Sequence, residues 1–308
     1  MLSPLVTIGI PCFNCAPFLP ALLQSICAQS FRRWEVIAID DASTDATPQI
    51  LRQIRDPRFR VILGKENLGL GPRLNQIAEL AQTELVARTD ADDLFHPERL
   101  TRQMLAFDAD PSLDVCATGT YTIDNQNRIL GIRRVPALAR TPAEVMRQNG
   151  PSHPTTTAKR SWCLRYVYGA EPRRGEDLDL WIRSIAASNI VQLEEPLHFI
   201  REDPRFDIAK YRRSMRDHRV VLKRHSHLAG DGFTANQMLL RTYAKEWIYG
   251  ALATAGLAGA VAARRNRVMQ SQERTLAEAA LQRALGGPSP VDSTGLETMR
   301  TQEPSLAR

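Results

Sequence analysis

Short runs of Val, Ile, Leu and Ala recur through the first hundred residues, and each is followed by apolar positions three or four apart. Residues 6–10 form the first such run and predict a strand stopped by Pro11; a helix beginning near Pro17 follows, with Leu19, Leu22, Leu23 and Ile26 on one face. The second run, 35–40, is succeeded by Ser43, Asp45 and Thr47 as caps and by Pro48 at the first turn of a helix carrying Ile50, Leu51 and Ile54. A third strand at 60–63 leads through Asn67-Leu68-Gly69 to a helix ending at Ala81, and 85–89 is a fourth strand. Strands separated by helices in this order predict an α/β fold whose sheet is mostly parallel and whose ligand groups lie at the carboxyl ends of the strands.

The pattern then becomes less regular. A helix is expected over 97–108, a strand at 115–117, and a hairpin of 121–123 with 129–133 closed by Asn125-Gln126-Asn127. Residues 150–174 read as a loop-rich region. Leu178, Trp181, Ile182 and Ile185 mark an amphipathic helix starting at Gly175-Glu176-Asp177, followed by short strands at 190–193 and 197–200. From about Asp207 the periodicity is helical and basic, with Arg212, Arg213, Arg216, Lys223 and Arg224. Residues 247–263 carry no charge and precede Arg264-Arg265-Asn266-Arg267. That stretch is near the minimum for crossing a bilayer but weakly hydrophobic, so membrane contact competes with a helix packed on the protein. Three regions are expected: a catalytic domain at 1–205, a helical extension at 206–285 and a flexible tail at 286–308.

Composition narrows the classes. With 308 residues and 43% hydrophobic content the chain can bury a substantial core, and its net charge of +6 favours anionic partners: phosphates, anionic lipid or nucleic acid. Aromatic residues are not interleaved with the basic clusters, which argues against nucleic acid. Five cysteines make no disulfide framework, and residues 1–11 lack a basic start and long apolar centre; a cytoplasmic protein is therefore expected, at the inner face of the cell membrane if the C-terminal helices bind it. Cys12-Phe13-Asn14-Cys15 has the spacing of a redox or zinc half-site, but no second Cys/His pair with metal spacing follows.

Two apolar runs end in carboxylates: 36–39 runs into Asp40-Asp41, and 85–87 leads through Arg88-Thr89 into Asp90-Ala91-Asp92-Asp93. Bare carboxylates at buried strand ends are costly unless a cation or a donor-rich ligand neutralises them. Oxygen ligands of this kind suit Mg2+ or Mn2+ held together with substrate phosphates.

The stretch 6–14, followed by Ile39-Asp40-Asp41-Ala42-Ser43-Thr44-Asp45, resembles the opening of a family 2 glycosyltransferase. Asn67-Leu68-Gly69-Leu70, Asp90-Ala91-Asp92-Asp93 and Gly175-Glu176-Asp177-Leu178-Asp179-Leu180-Trp181 continue the likeness in order, over about residues 4–205. The resemblance implies a glycosyltransferase A fold and an inverting transfer from a nucleotide-diphosphate sugar, with UDP as the expected nucleotide, to a saccharide or lipid-linked acceptor in envelope or exopolysaccharide synthesis. It places a nucleotide site on Pro11, Phe13, Asn14, Asp41, Asn67, Arg73 and Asp90. Pro11 and Phe13 would line the base pocket, Asp41 would accept the base imide N–H, and Arg73 either reaches phosphate or is a solvated helix charge. It makes Asp92 the metal ligand with Asp90 or Asp93 in support, and Asp177 the general base beside Glu176.

His153-Pro154 resembles a stretch before the acceptor-side strand, where the histidine either touches substrate or is structural. The chain departs from the family pattern after its last core strand: Ile200-Arg201-Glu202-Asp203 stands where relatives carry Tyr-Arg-x-His, so Asp203 replaces the histidine or this corner differs. Other readings are a non-catalytic nucleotide-sugar or metal-binding module and a membrane-surface protein.

Overall fold

The computed structural model describes residues 3–169, 174–202, 207–230, 232–255 and 265–291. Its centre is the predicted parallel unit: β1 (Val6–Cys12), α1 (Leu19–Cys27), β2 (Trp34–Asp40), α2 (Thr47–Arg52), β3 (Phe59–Leu63), α3 (Leu70–Leu80) and β4 (Leu85–Arg88). These strands lie in the order β4-β1-β2-β3 and pair in parallel, with Gly9 opposite Arg88 and Cys12 opposite Asp40. Alternation explains the layers: Val36 and Ala38 join Ile8 and Ile10 in the cluster that packs on α1, whereas Ile37, Ile39 and Val86 face Leu74 and Ile77 of α3.

Beyond β4 the sheet becomes mixed. β8 (Thr157–Lys159) runs antiparallel to β4, and β6 (Val115–Ile123) antiparallel to β8; β7 (Ile129–Arg133) forms the expected hairpin with β6. The strands expected at 115–117 and 121–123 are one strand. Those at 190–193 and 197–200 are likewise joined in β9 (Ile190–Arg201), which follows β6 in parallel through two irregular steps that the alternation could not bridge. β9 also pairs with the short β5 (Leu94–Phe95), putting Arg201 beside the acidic segment that ends β4. The region read as loop contains β8 and the short helix α6 (Arg160–Arg165) that follows it; α5 (Pro142–Gln148) lies just before that region, and α4 (Arg99–Ala109) precedes β6.

A second cluster joins α5 and α6 to α7 (Glu176–Ser184) and, through Val221, Leu222, Ala235 and Met238, to the hairpin of α8 (Ile208–Arg224) and α9 (Gly232–Thr254). The chain then returns to the sheet. β10 (Asn266–Arg267) pairs with β7, and α10 (Ser271–Leu285) places Ala277, Ala280 and Leu281 in the main core near α1. Val291 is buried and bridges Ile54. Residues 266–291 thus differ from the simple extension and tail expected of them: small residues of α10, too short to make a strong apolar stripe, allow close approach to α1. No helix among the described residues is long and apolar enough to cross a membrane; of the charge-free stretch 247–263, residues 256–263 lie outside the described residues.

Candidate active site

The parallel register carries Asp41 and Asp90 to the same edge of the sheet. Asp41 leaves β2 with its N–H on Cys12 O at 2.7 Å, while Thr89 continues from Arg88 beside β1. Asp41 is buried and highly coordinated: Oδ1 accepts from Leu68 N at 2.9 Å and Arg73 Nε at 2.7 Å, and Oδ2 accepts from Gly69 N at 2.9 Å. Asn67 Nδ2 donates to the Asp41 carbonyl at 3.2 Å. A carboxylate offers about four lone-pair positions, so one on Oδ2 is left for a ligand donor.

Arg73 departs from both expectations. Rather than reaching for phosphate or sitting in solvent, it is buried against Asp41, with Nη1 on Gln76 Oε1 and Nη2 on Glu66 O, each at 2.8 Å. A buried guanidinium requires an anion and several acceptors, which Asp41 after β2, Glu66 before α3 and Gln76 within α3 provide. Gly64 makes room for it: a Cβ there would lie 2.6 Å from Asp40 O and meet the guanidinium. Asn14, at φ 49°, ties the loops after β1 and β2 together by accepting from Thr44 N and donating its own N–H to Ser43 Oγ, each at 2.9 Å. This leaves Phe13 50% exposed beside half-buried Pro11, a surface against which a base can stack. Cys12 and Cys15 are buried free thiols in this turn, and all five cysteines are free.

The second acidic segment divides into two functions. Asp90 pairs with Arg88 Nη2 at 2.6 Å, and Asp92 has its carboxyl pKa raised by burial and then by Asp90. Asp93 instead faces inward: Oδ1 accepts from Arg201 N at 2.9 Å, and Oδ2 meets His198 Nε2 at 3.1 Å. His198 Nδ1 receives Arg99 Nη1 at 2.9 Å. Burial, followed by the fields of Arg99 and Arg88, holds the ring well below the usual histidine range, so neutral His198 carries its proton on Nε2 and donates to Asp93. Asp93 is therefore an anchor. Asp92 and the partly exposed Asp90 remain as two hard oxygen donors whose mutual repulsion a divalent cation would relieve. No cluster of three or more metal-ligating side chains occurs among the described residues. Two carboxylates fit Mg2+ or Mn2+, which complete their shells with water and phosphate. Asp203 lies outside the described residues.

Across from the sheet edge α7 opens from Gly175 at φ 84°, a left-handed conformation that suits glycine. Asp177 Oδ1 accepts from Leu178 N at 2.8 Å, which fixes the carboxylate at the helix N-terminus. Next to it Glu176 is raised to about 7 by burial and then by Asp177, and its Oε2 has no hydrogen-bond partner among the described residues. Arg88 lowers the same group and Asp90 raises it, so the acids of the sheet edge and of the start of α7 share one electrostatic field. His153 is buried, hydrogen-bonded through Nε2 to Tyr168 OH at 2.5 Å and edge-on to Trp181. Burial holds it neutral, which fits its structural reading. Asp179 accepts from Arg183 at 2.7 Å and meets His225 at 2.8 Å, docking α7 on the end of α8.

The raised Glu176 pKa has a stability consequence. In the unfolded chain Glu176 loses its proton near its ordinary value of 4.5, whereas in the folded protein it does so only near 7. Its compatibility with folding is therefore complete below 4.5 and lost as pH rises through 7. Glu176→Gln should leave stability nearly unchanged at pH 4 and raise it at pH 8 by on the order of 2–3 kcal/mol. Urea unfolding at the two pH values measures this; an equal effect at both would show that Glu176 is not desolvated.

The sequence did not single out Arg88, Arg99, Arg201, His198 or Tyr168. Arg201 is the instructive omission, since it occupies the corner where histidine is missing. It donates to Asp92 O at 2.8 Å and Asn127 Oδ1 at 2.7 Å, also bonds Asp124 O, and lies 4.4 Å over the Phe18 ring. Its position directly after Phe199-Ile200, at the end of β9, was the available signal.

Comparison with known proteins agrees with this architecture. The putative glycosyltransferase EpsE of Bacillus subtilis is 32% identical over 210 residues, covering 65% of this chain and 74% of the relative. Staphylococcus aureus TarS 1–349 in complex with UDP-GlcNAc superposes with a TM-score of 0.58 at 18% identity, over 97% of this chain and 93% of that one. The mannosyltransferase PcManGT from Pyrobaculum calidifontis, in complex with GDP-Man and Mn2+, gives 0.54 at 20% identity over 98% and 89%. The model of glycosyl transferase family 2 matches residues 7–169, the span that holds both acidic strand ends, and on that match and the likeness to EpsE the chain belongs to glycosyl transferase family 2.

Proposed function

We propose that this glycosyltransferase moves a sugar, with inversion, from a UDP-sugar to a hydroxyl of a saccharide or lipid-linked acceptor used in envelope or exopolysaccharide assembly. The observation that carries this reading is the parallel register of β2, β1 and β4, which gathers Asp41 and the 90–92 acids at one sheet edge, with Asp90 near enough to the start of α7 to act on Glu176. Phe13 and Pro11 would pack on the base, and the remaining lone pair of Asp41 Oδ2 would accept its imide N–H. Asn67 and Gly69 shape the loop beside the pyrophosphate.

Asp92, supported by Asp90, would hold Mg2+ or Mn2+, which supplies charge neutralisation to the departing nucleoside diphosphate. Arg88 keeps Asp90 oriented toward that position. Asp177 would take the proton of the acceptor hydroxyl as its oxygen attacks the anomeric carbon from the side opposite the leaving phosphate. The complexes of TarS with UDP-GlcNAc and of PcManGT with GDP-Man and Mn2+ support the donor class and the metal, and differ in the base.

Thermal-shift measurements with nucleoside diphosphates test the donor. UDP at about a hundredfold its dissociation constant, with Mn2+, should stabilise by roughly 2.7 kcal/mol. Asp92→Ala should remove the metal-dependent part of that shift. Preference for GDP over UDP would overturn the role given to Asp41.

A further inference from the structure

The reaction uses the sheet edge and the start of α7, and leaves the α8–α9 hairpin without a task. On α9, Phe233, Leu240 and Trp247 recur every seven residues and are 72%, 65% and 77% exposed. Ala244, Ile248 and Ala251 lie on the same exposed side. The opposite side, Ala235, Met238 and Thr242, is buried. α8 and α9 are clamped together by Arg219 on Glu246 at 2.7 Å and by stacked Tyr211 and Tyr249 at 4.8 Å, so this apolar stripe belongs to a firmly packed element.

Charge indicates what would cover it. The two helices contain nine Lys and Arg residues and two acids, Asp217 and Glu246, an excess larger than the whole chain's +6. Arg241 and Lys245 adjoin the stripe, and Lys210, Arg212, Arg213, Arg216 and Lys223 are exposed on α8. A second copy of this hairpin would bring like charges together. An exposed aromatic and aliphatic stripe bordered by long cationic side chains matches instead the boundary between anionic headgroups and acyl chains.

We propose that the α8–α9 hairpin is a docking surface for an anionic lipid bilayer, with Phe233, Leu240 and Trp247 entering the interface and the flanking Lys and Arg residues meeting the headgroup phosphates. The contact begins upstream of the charge-free stretch and lies in the plane of the membrane. α8 packs beside the start of α7, with Val221 against Gly175, so docking would hold the acceptor side close to the lipid surface. The proposal rests on the hairpin alone and stands whether or not the donor is a UDP-sugar.

Trp247 provides the readout, because Trp34, Trp162 and Trp181 are buried and the sequence has four tryptophans. Vesicles of phosphatidylglycerol and phosphatidylcholine at 3:7 should shift the emission of the full-length protein to the blue, and pure phosphatidylcholine should not. Replacing Arg241 and Lys245 by Gln should weaken partition about fivefold for each charge removed. Leu240→Glu with Trp247→Glu should abolish vesicle flotation while leaving nucleotide binding intact, which separates lost docking from lost folding. Absence of flotation by the wild type, equal binding to neutral vesicles, or a dimer in light scattering that Leu240→Glu dissolves would overturn the assignment.

Discussion

Asp177→Asn is expected to bind the nucleotide-sugar donor normally and to transfer it about 10²- to 10⁴-fold more slowly, the usual contribution of a positioned base. The amide keeps the shape of the carboxylate, and its oxygen can still accept the Leu178 N–H that Asp177 accepts at 2.8 Å, so the start of α7 should hold. What it loses is the ability to take a proton. The loss should therefore fall on kcat, with the KM for donor little changed, and single-turnover transfer with preloaded donor should show the same deficit. Glu176 is the discriminating control. With a pKa of about 7 it is closer to the ideal of a base at neutral pH than an ordinary carboxylate. Full activity in Asp177→Asn together with inactivity in Glu176→Gln would move the base by one residue.

The parallel half of the fold was legible because burial on both faces gives uninterrupted apolar runs, as in 36–39, and the chain then reports its own turns through Pro11, Pro48 and Gly69. The acidic ends of β2 and β4 were legible for the complementary reason that carboxylates are conspicuous after such runs. Which carboxylate does what was not. Asp92 and Asp93 are adjacent in sequence, yet Asp93 is turned into the core toward His198 and Arg201, residues more than a hundred positions away. Only the pairing of β5 with β9 brings them together. The same holds for Arg73, which looks like a surface charge on an amphipathic helix until the loop carrying Asp41 closes over it. The return of β10 and α10 was equally hidden, since Ala277 and Ala280 signal close packing only when α1 is already in place.

A common device emerges from these contacts. Each carboxylate cluster at the sheet edge is held by an arginine: Arg73 behind Asp41, Arg88 beside Asp90, and Arg201 with Arg99 behind the Asp92-Asp93 pair. Acids gathered at one sheet edge repel one another while nothing is bound between them. Fixed guanidinium groups offset that repulsion without consuming the outward lone pairs, leaving Asp92 accessible while Asp93 is spent on position.

Arg99 bears the greatest structural share of this arrangement, and Arg99→Ala should cost about 3–5 kcal/mol, the range for breaking a buried charged network from one side. Its side chain is fully buried. It donates to Arg88 O at 2.8 Å, Thr156 O at 3.3 Å, Gln103 Oε1 at 3.2 Å and His198 Nδ1 at 2.9 Å, and lies 4.2 Å over the Phe95 ring. Burial holds its pKa down to about 9, so it is still a cation at neutral pH and still offsets Asp93. Alanine would leave four acceptors without this donor, in a space that water cannot fill without separating β4, β8 and β9. For a chain of this size the loss corresponds to a fall in Tm of about 5–8 °C, measurable by calorimetry. Arg99→Lys keeps the charge but not the planar fork, and should recover only part of the loss. A variant Tm within about 2 °C of wild type would mean that the acidic edge stands without this support.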